Sequence, residues 1–173
     1  TMFSFLLAIV AIIRSGSYPI SPSQLVLIDY LVIGIPSFFL ALEPNNRQVV
    51  GKFLLNIIKA ALPGALVVMI NSLIIFGFEG LLGMDSIVVS TLIVLSATVT
   101  CLTVLFRVST PFNKMRRTLF FLMVAIFLFL VLMTPQFFDF APFFRQDIMI
   151  AEPLTVSQIL LLVVLAQSTF PLM

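Results

Sequence analysis

Apolar runs too long for ordinary core segments recur along this chain, and they limit what it can fold into. They cover approximately 2–13, 23–42, 54–78, 86–107, 118–135 and 154–172. A helix that crosses a bilayer needs about 20 predominantly apolar residues. Hydrophobic residues make up 61% of the sequence and charged ones only 9%, whereas a soluble domain averages about 45–50% and about 25%. Lipid is therefore the expected solvent for these runs. An open strand cannot satisfy its N–H and C=O groups in hydrocarbon, while a helix satisfies them internally. The expectation is an all-α integral membrane protein, a single transmembrane domain over 1–173 built as a six-helix polytopic bundle. Short turn-forming stretches such as "RSGSYPISPS", "EPNNRQVVGK" and "RVSTPFNKMRR" join the runs.

The first run, "TMFSFLLAIVAII", is short for a span, and nothing ahead of it has the basic region and cleavage site of a signal peptide. It reads as a truncated first helix, with more of the protein upstream. The absence of histidine removes the commonest general base and soft-metal ligand. The lone Cys101 excludes a disulfide framework and a Cys/His metal cluster. A net charge of +2 gives no argument for a nucleic-acid partner.

Charge instead sets an orientation. Of nine Lys and Arg residues, seven (Arg47, Lys52, Lys59, Arg107, Lys114, Arg116 and Arg117) fall around the second and fourth connections; Arg14 and Arg145 fall opposite. Glu79, Asp85, Asp139, Asp147 and Glu152 lie on the side poor in Lys and Arg. The positive-inside rule places the loops around 43–59 and 107–117 in the cytoplasm of a multi-pass cell-membrane protein.

Within the second run, "SPSQLVLIDYLVIGIPSFFLALEPN" begins as a helix should, with Ser21 placed to cap and Pro22 at the first helical position. Asp29 follows about seven residues in, roughly 10 Å along the axis at 1.5 Å per residue. An intramembrane carboxylate costs about 2.5–3.5 kcal/mol on insertion scales and generally faces a cavity or partner. Pro36 brings no N–H to the carbonyl of Val32, and Gly34 loosens the same turn. A Gly/Pro-broken second helix is expected here, with the Val32 and Ile33 carbonyls on the face of Asp29. A carboxylate beside freed backbone oxygens suits a hard cation, and broken helices at mid-membrane hold ion sites in transporters. The plainer reading is a kinked helix whose Asp29 bonds a neighbouring helix or carries a proton. Ser96, Thr100, Thr103, Asn56, Asn71, Gln158 and Gln167 read as interhelical packing glue, with Thr100 the one candidate for an auxiliary ligand.

The stretch "QLVLIDYLVIGIPSFFLALEPNN" resembles the sixth membrane helix of the P-type cation-transporting ATPases, with Gln24, Leu25, Gly34, Pro36 and Pro44 in register. The likeness is greatest to a bacterial, calcium-pump-like branch, and the six runs resemble that family's fifth (in part) to tenth membrane helices. By this resemblance Asp29 inherits a metal-ligand role from the asparagine that calcium pumps usually carry there. Val32 and Ile33 depart from the family, standing where it has a threonine and a bridging aspartate, so at most one divalent ion is expected. The resemblance implies a cation, calcium foremost, as transported substrate, with Mg-ATP handled by domains outside this sequence. It further implies that the missing N-terminal helices and cytoplasmic domains of the same chain are the partners, together with the lipid bilayer. No catalytic or cofactor-binding residue is expected in this stretch. The alternatives are a self-contained six-helix passive channel or ATP-independent carrier, and an accessory membrane subunit.

Overall fold

A computed structural model describes residues 2–13, 16, 18–42, 53–108, 114–133, 135–141 and 154–172. Among these there is no strand, and every apolar run carries a helix. Helix α1 is Met2–Ile13. A second rod consists of α2 (Pro22–Leu27), a π-helical segment (Ile28–Gly34) and α3 (Ile35–Ala41). Then follow α4 (Phe53–Glu79), α5 (Ser86–Val108), α6 (Lys114–Met133), a 3-10 turn (Pro135–Phe138) and α7 (Val156–Leu172). Four stretches are long and apolar enough to cross a membrane: Pro22–Ala41, Ala61–Glu79, Ser86–Arg107 and Lys114–Met133. Helices α1 and α7 are apolar but shorter. The chain is an all-α membrane protein. Arg14, Arg47, Lys52, Arg145, Asp147 and Glu152, on which much of the charge asymmetry rests, lie outside the described residues, as does Pro44.

Helix α5 is the centre of the bundle. Of its membrane-length stretch 67% is buried inside the protein, against 17% for α6. It packs on α4, α7, the π segment and α6, while α1 lies along α4 and α3 against α6. Leu92, Ile93, Val94 and Ala97 of α5 meet Leu7, Ile28, Val68 and Ile75 in one core. Acyl chains are as apolar as leucine, so removing these side chains from lipid supplies little drive. Close van der Waals fit does the holding, which favours small residues. The "SATVT" run at 96–100 supplies them at the middle of α5.

In the inner part of that helix the hydroxyls donate back to their own backbone. Ser96 donates to the carbonyl of Ile93, Thr98 to Val94, Thr100 to Ser96 and Thr103 to Val99, all at 2.8–2.9 Å. Three or four residues back along its own helix, a carbonyl is always within reach of a Ser or Thr hydroxyl. The expected glue at Ser96, Thr100 and Thr103 is thus replaced by local satisfaction. Gln158 likewise serves its own helix, its Oε1 accepting from the Thr155 N–H at 2.9 Å ahead of α7.

Long-range polar links gather at one end of the bundle. Ser21 caps α2 and exchanges bonds with Gln24 in a capping box. Gln24 is fully buried, and its Nε2 donates at 2.8 Å to the carbonyl of Asp139. Ser23 donates to the Asp139 carboxylate, also at 2.8 Å. Asp139 has φ +52°, the left-handed region that aspartate tolerates better than most residues. Two residues on, the Ala141 N–H donates to the Thr91 hydroxyl at 2.8 Å. The segment after the 3-10 turn is therefore fastened to the ends of both α2 and α5.

Replacing Thr91 by Val would leave the buried Ala141 N–H without its acceptor. The cost should be about 1–3 kcal/mol, read as a lower thermal unfolding midpoint in detergent. Thr98→Val removes only a bond to its own helix and should move the midpoint much less.

Candidate functional site

The second rod runs through Asp29 without breaking. Between Ile28 and Gly34 the ladder changes from four-residue to five-residue spacing, and the Ile35 N–H closes on the carbonyl of Tyr30. The α ladder resumes in α3. Such π turns concentrate at functional sites. Pro36 supplies the local cause. In an unbroken α ladder the Leu31 carbonyl would accept from residue 35 and the Val32 carbonyl from residue 36. Residue 35 is committed to Tyr30, and residue 36 is a proline with no N–H. The interruption expected at Gly34 and Pro36 therefore takes the form of a widened turn, which deprives the Leu31 carbonyl of its donor and leaves the single Ser37 N–H to serve either Val32 or Ile33.

Gly34 is needed for that turn. A Cβ at residue 34 would stand 2.9 Å from the carbonyl oxygen of Asp29, closer than such contacts occur. The glycine lets the backbone close over Asp29.

Asp29 is half-buried, flanked by the buried Ile28 and the exposed Tyr30. Its Oδ1 is buried and has no hydrogen-bond partner. A bare carboxylate oxygen in a low-dielectric interior is costly. The Tyr18 hydroxyl is pushed above its ordinary range, chiefly by burial and further by Asp29, against an opposing hydrogen bond with Ser4. It stays neutral at physiological pH.

One turn along the rod from Asp29 lies an apolar cavity of about 290 Å³. Val32, Ile33 and Ser37 line it from the second rod, Thr100 and Cys101 from α5, and Gly64 and Val68 from α4. Of the residues singled out in the sequence, Val32, Ile33 and Thr100 meet here. Asp29 does not line this cavity. The Thr100 hydroxyl spends its proton on the Ser96 carbonyl, which leaves its oxygen lone pairs as acceptors. Pro36 is buried. A wider cleft of about 680 Å³ lies at the other end, among Tyr18, Leu25, Phe76, Glu79 and Asp139.

Among the described residues, no three His, Cys, Asp or Glu side chains gather as a metal cluster would require. The donors present are one carboxylate, deprived backbone carbonyls and a hydroxyl oxygen. These are hard ligands, suited to calcium-like ions and not to zinc or copper.

Over 78 residues the chain is 36% identical to the calcium-transporting ATPase CtpE of Mycolicibacterium smegmatis (strain ATCC 700084 / mc(2)155). The match covers 39% of this chain and 10% of that protein. The finding supports a P-type-ATPase-like relationship over that stretch. No family model and no solved structure matches.

One residue of interest was read in the sequence only as packing glue. Asn71 of α4 is buried, 1% exposed, and its Nδ2 has no partner. The sequence signal was present, a carboxamide within an apolar run, but it did not separate a site residue from a packing one. Asn56 and the Lys59 side chain lie outside what the structure describes.

The π turn yields a paired test. Gly34→Ala forces a Cβ against the Asp29 carbonyl and should cost about 1–3 kcal/mol through overpacking, despite about 1 kcal/mol of gained helix propensity. Gly77 of α4 has open space where its Cβ would go, so Gly77→Ala should leave stability unchanged or raise it. Thermal unfolding of both variants in the same detergent checks the contrast.

Proposed function

We propose that this chain is the C-terminal membrane part of a P-type ATPase that pumps a divalent cation, calcium foremost, across the cell membrane. The observation that carries the reading is Asp29. It places an unpartnered buried carboxylate oxygen in a membrane-length helix, at the start of a π turn that deprives neighbouring carbonyls of their donors. The similarity to a calcium-transporting ATPase supports it independently.

In this reading the cation is cargo. Asp29 supplies the charge; the carbonyls of Val32 and Ile33 and the Thr100 oxygen supply neutral ligands. Calcium takes six to eight oxygens, so further ligands come from helices upstream of Thr1. One carboxylate here fits one divalent ion. Mg-ATP and the phosphorylated aspartate belong to cytoplasmic domains of the same chain, and the loops around 43–59 and 107–117 face them. The "EPNNRQVVGK" loop, which lies outside the described residues, is the contact to the phosphorylation domain.

The test is Asp29→Asn in the full-length pump, which keeps size and removes charge. Calcium-stimulated phosphoenzyme formation should be lost, or its half-maximal concentration raised at least about tenfold, ~1.4 kcal/mol, with expression intact. Wild-type ion dependence in that variant refutes the assignment.

A further inference from the structure

Two buried side-chain polar atoms among the described residues have no hydrogen-bond partner, and they are chemically complementary: the acceptor Asp29 Oδ1 and the donor Asn71 Nδ2. We infer that Asn71 of α4 belongs to the same site as Asp29. This rests on the reading of Asp29 as a cation ligand and extends the site to a helix that sequence reasoning had left out of it.

The two cavities set the depth of each residue. Leu25 and Phe76 line the wide cleft together, while Val32, Ile33 and Val68 line the apolar cavity together. Consecutive spans run in opposite directions, so positions on the second rod and α4 that share a depth have a nearly constant sum. Leu25 with Phe76, and Val32 or Ile33 with Val68, give sums of 100–101. Asp29 with Asn71 gives 100. Both residues therefore stand between the cavities at one depth.

The faces agree as well. On α4, Gly64 and Val68 line the apolar cavity, and Asn71 is the next position of that stripe, seven residues on from Gly64. On the second rod, Leu40, Ser37 and Ile33 line the same cavity. Asp29 is four residues before Ile33, in a segment where four to five residues make a turn. Each orphan atom thus continues, on its own helix, a stripe whose other members line the shared cavity.

A carboxamide suits both states of such a site. Neither orphan atom is paired in this structure, and a modest side-chain rotation that brought Asn71 Nδ2 to the Asp29 carboxylate would offset its desolvation, as a charge-assisted hydrogen bond does. With a cation bound, rotation of the amide presents Oδ1 as a neutral oxygen ligand. Asparagine carries both a donor and an acceptor on one group; leucine, of similar volume, carries neither.

The experiment uses the full-length pump in detergent, with calcium alone as the probe and phosphoenzyme formation as the readout. Asn71→Leu should raise the calcium concentration for half-maximal phosphorylation about tenfold or more. Asn71→Asp, which keeps an oxygen ligand, should fall nearer to wild type than Leu does. A purely structural Asn71 predicts unchanged calcium dependence in Asn71→Leu with stability unchanged or raised, since burying an apolar isostere in place of an orphan amide is neutral or stabilising. Unchanged calcium dependence in Asn71→Leu, with Asp29→Asn impaired, overturns this inference and leaves the Asp29 site standing. Unchanged dependence in Asp29→Asn removes the site itself. Should Asn71→Leu fail to fold, Asn71→Ser, smaller and still oxygen-bearing, takes its place; calcium half-saturation equal to wild type in that variant also counts against the inference.

Discussion

A main-chain carbonyl inside a bilayer has no water to turn to, and an unsatisfied one costs several kcal/mol. Pro36 takes a donor away in the middle of a span, and the local geometry answers that loss. The chain does not break at this point. It widens by one residue per turn from Ile28 to Gly34, the Ile35 N–H moves back to Tyr30, and the α ladder resumes in α3. The deficit is concentrated on the carbonyls of Leu31, Val32 and Ile33, two to four residues from Asp29, which have one N–H, that of Ser37, among them. Gly34 makes the widening sterically feasible, because a side-chain carbon there would collide with the Asp29 carbonyl. Proline, glycine and aspartate thus act as one unit: one creates the deficit, one admits the geometry that absorbs it, and one places charge beside it.

The rest of the membrane interior shows how polar groups are handled where nothing is to be bound. Thr98, Thr100 and Thr103 return their protons to carbonyls of their own helix. Gln24 is wholly buried yet fully engaged, capping α2 and holding Asp139. Against that background the bare Oδ1 of Asp29 and the bare Nδ2 of Asn71 are exceptions. Buried polar atoms in folded proteins are nearly always paired, and those that are not call for a specific explanation. Two exceptions of opposite hydrogen-bonding character at one depth are explained together by a shared ligand more economically than by two separate faults of packing.

What could be read from the sequence follows the range of the physics involved. Helix positions were legible because apolar length and the backbone's need for internal bonds are local properties; the run at 86–107 is Ser86–Val108 in the structure. The start of α2 was legible too, since Ser21, Pro22 and Gln24 form their cap within four residues. The form of the interruption at Gly34 and Pro36 was not, because a missing donor is equally compatible with a kink, an unwound turn or a π turn until the neighbouring bonds are known. Asn71 was illegible for another reason. A carboxamide in a span looks the same in sequence whether its amide is spent or spare, and only the packing of α4 against its neighbours shows that it is spare. The clasp between Gln24 and Asp139 joins residues 115 positions apart, beyond any local pattern.

Charge balance carries the reasoning about the site one step further. A divalent ion held by Asp29 alone would keep one uncompensated positive charge in a low-dielectric interior, where an unpaired charge costs several kcal/mol even after relaxation. Carbonyl and amide dipoles reduce that cost but do not cancel a unit charge. Glu79 and Asp139 line the wide cleft with Leu25, which is a turn from Asp29 along the second rod. On the proposed reading, a second carboxylate from outside this sequence would complete the charge balance. Affinity for the ion would then depend on how that outside element is positioned. In the proposed pump, that dependence would let a reaction elsewhere in the protein change the site from strong binding to weak.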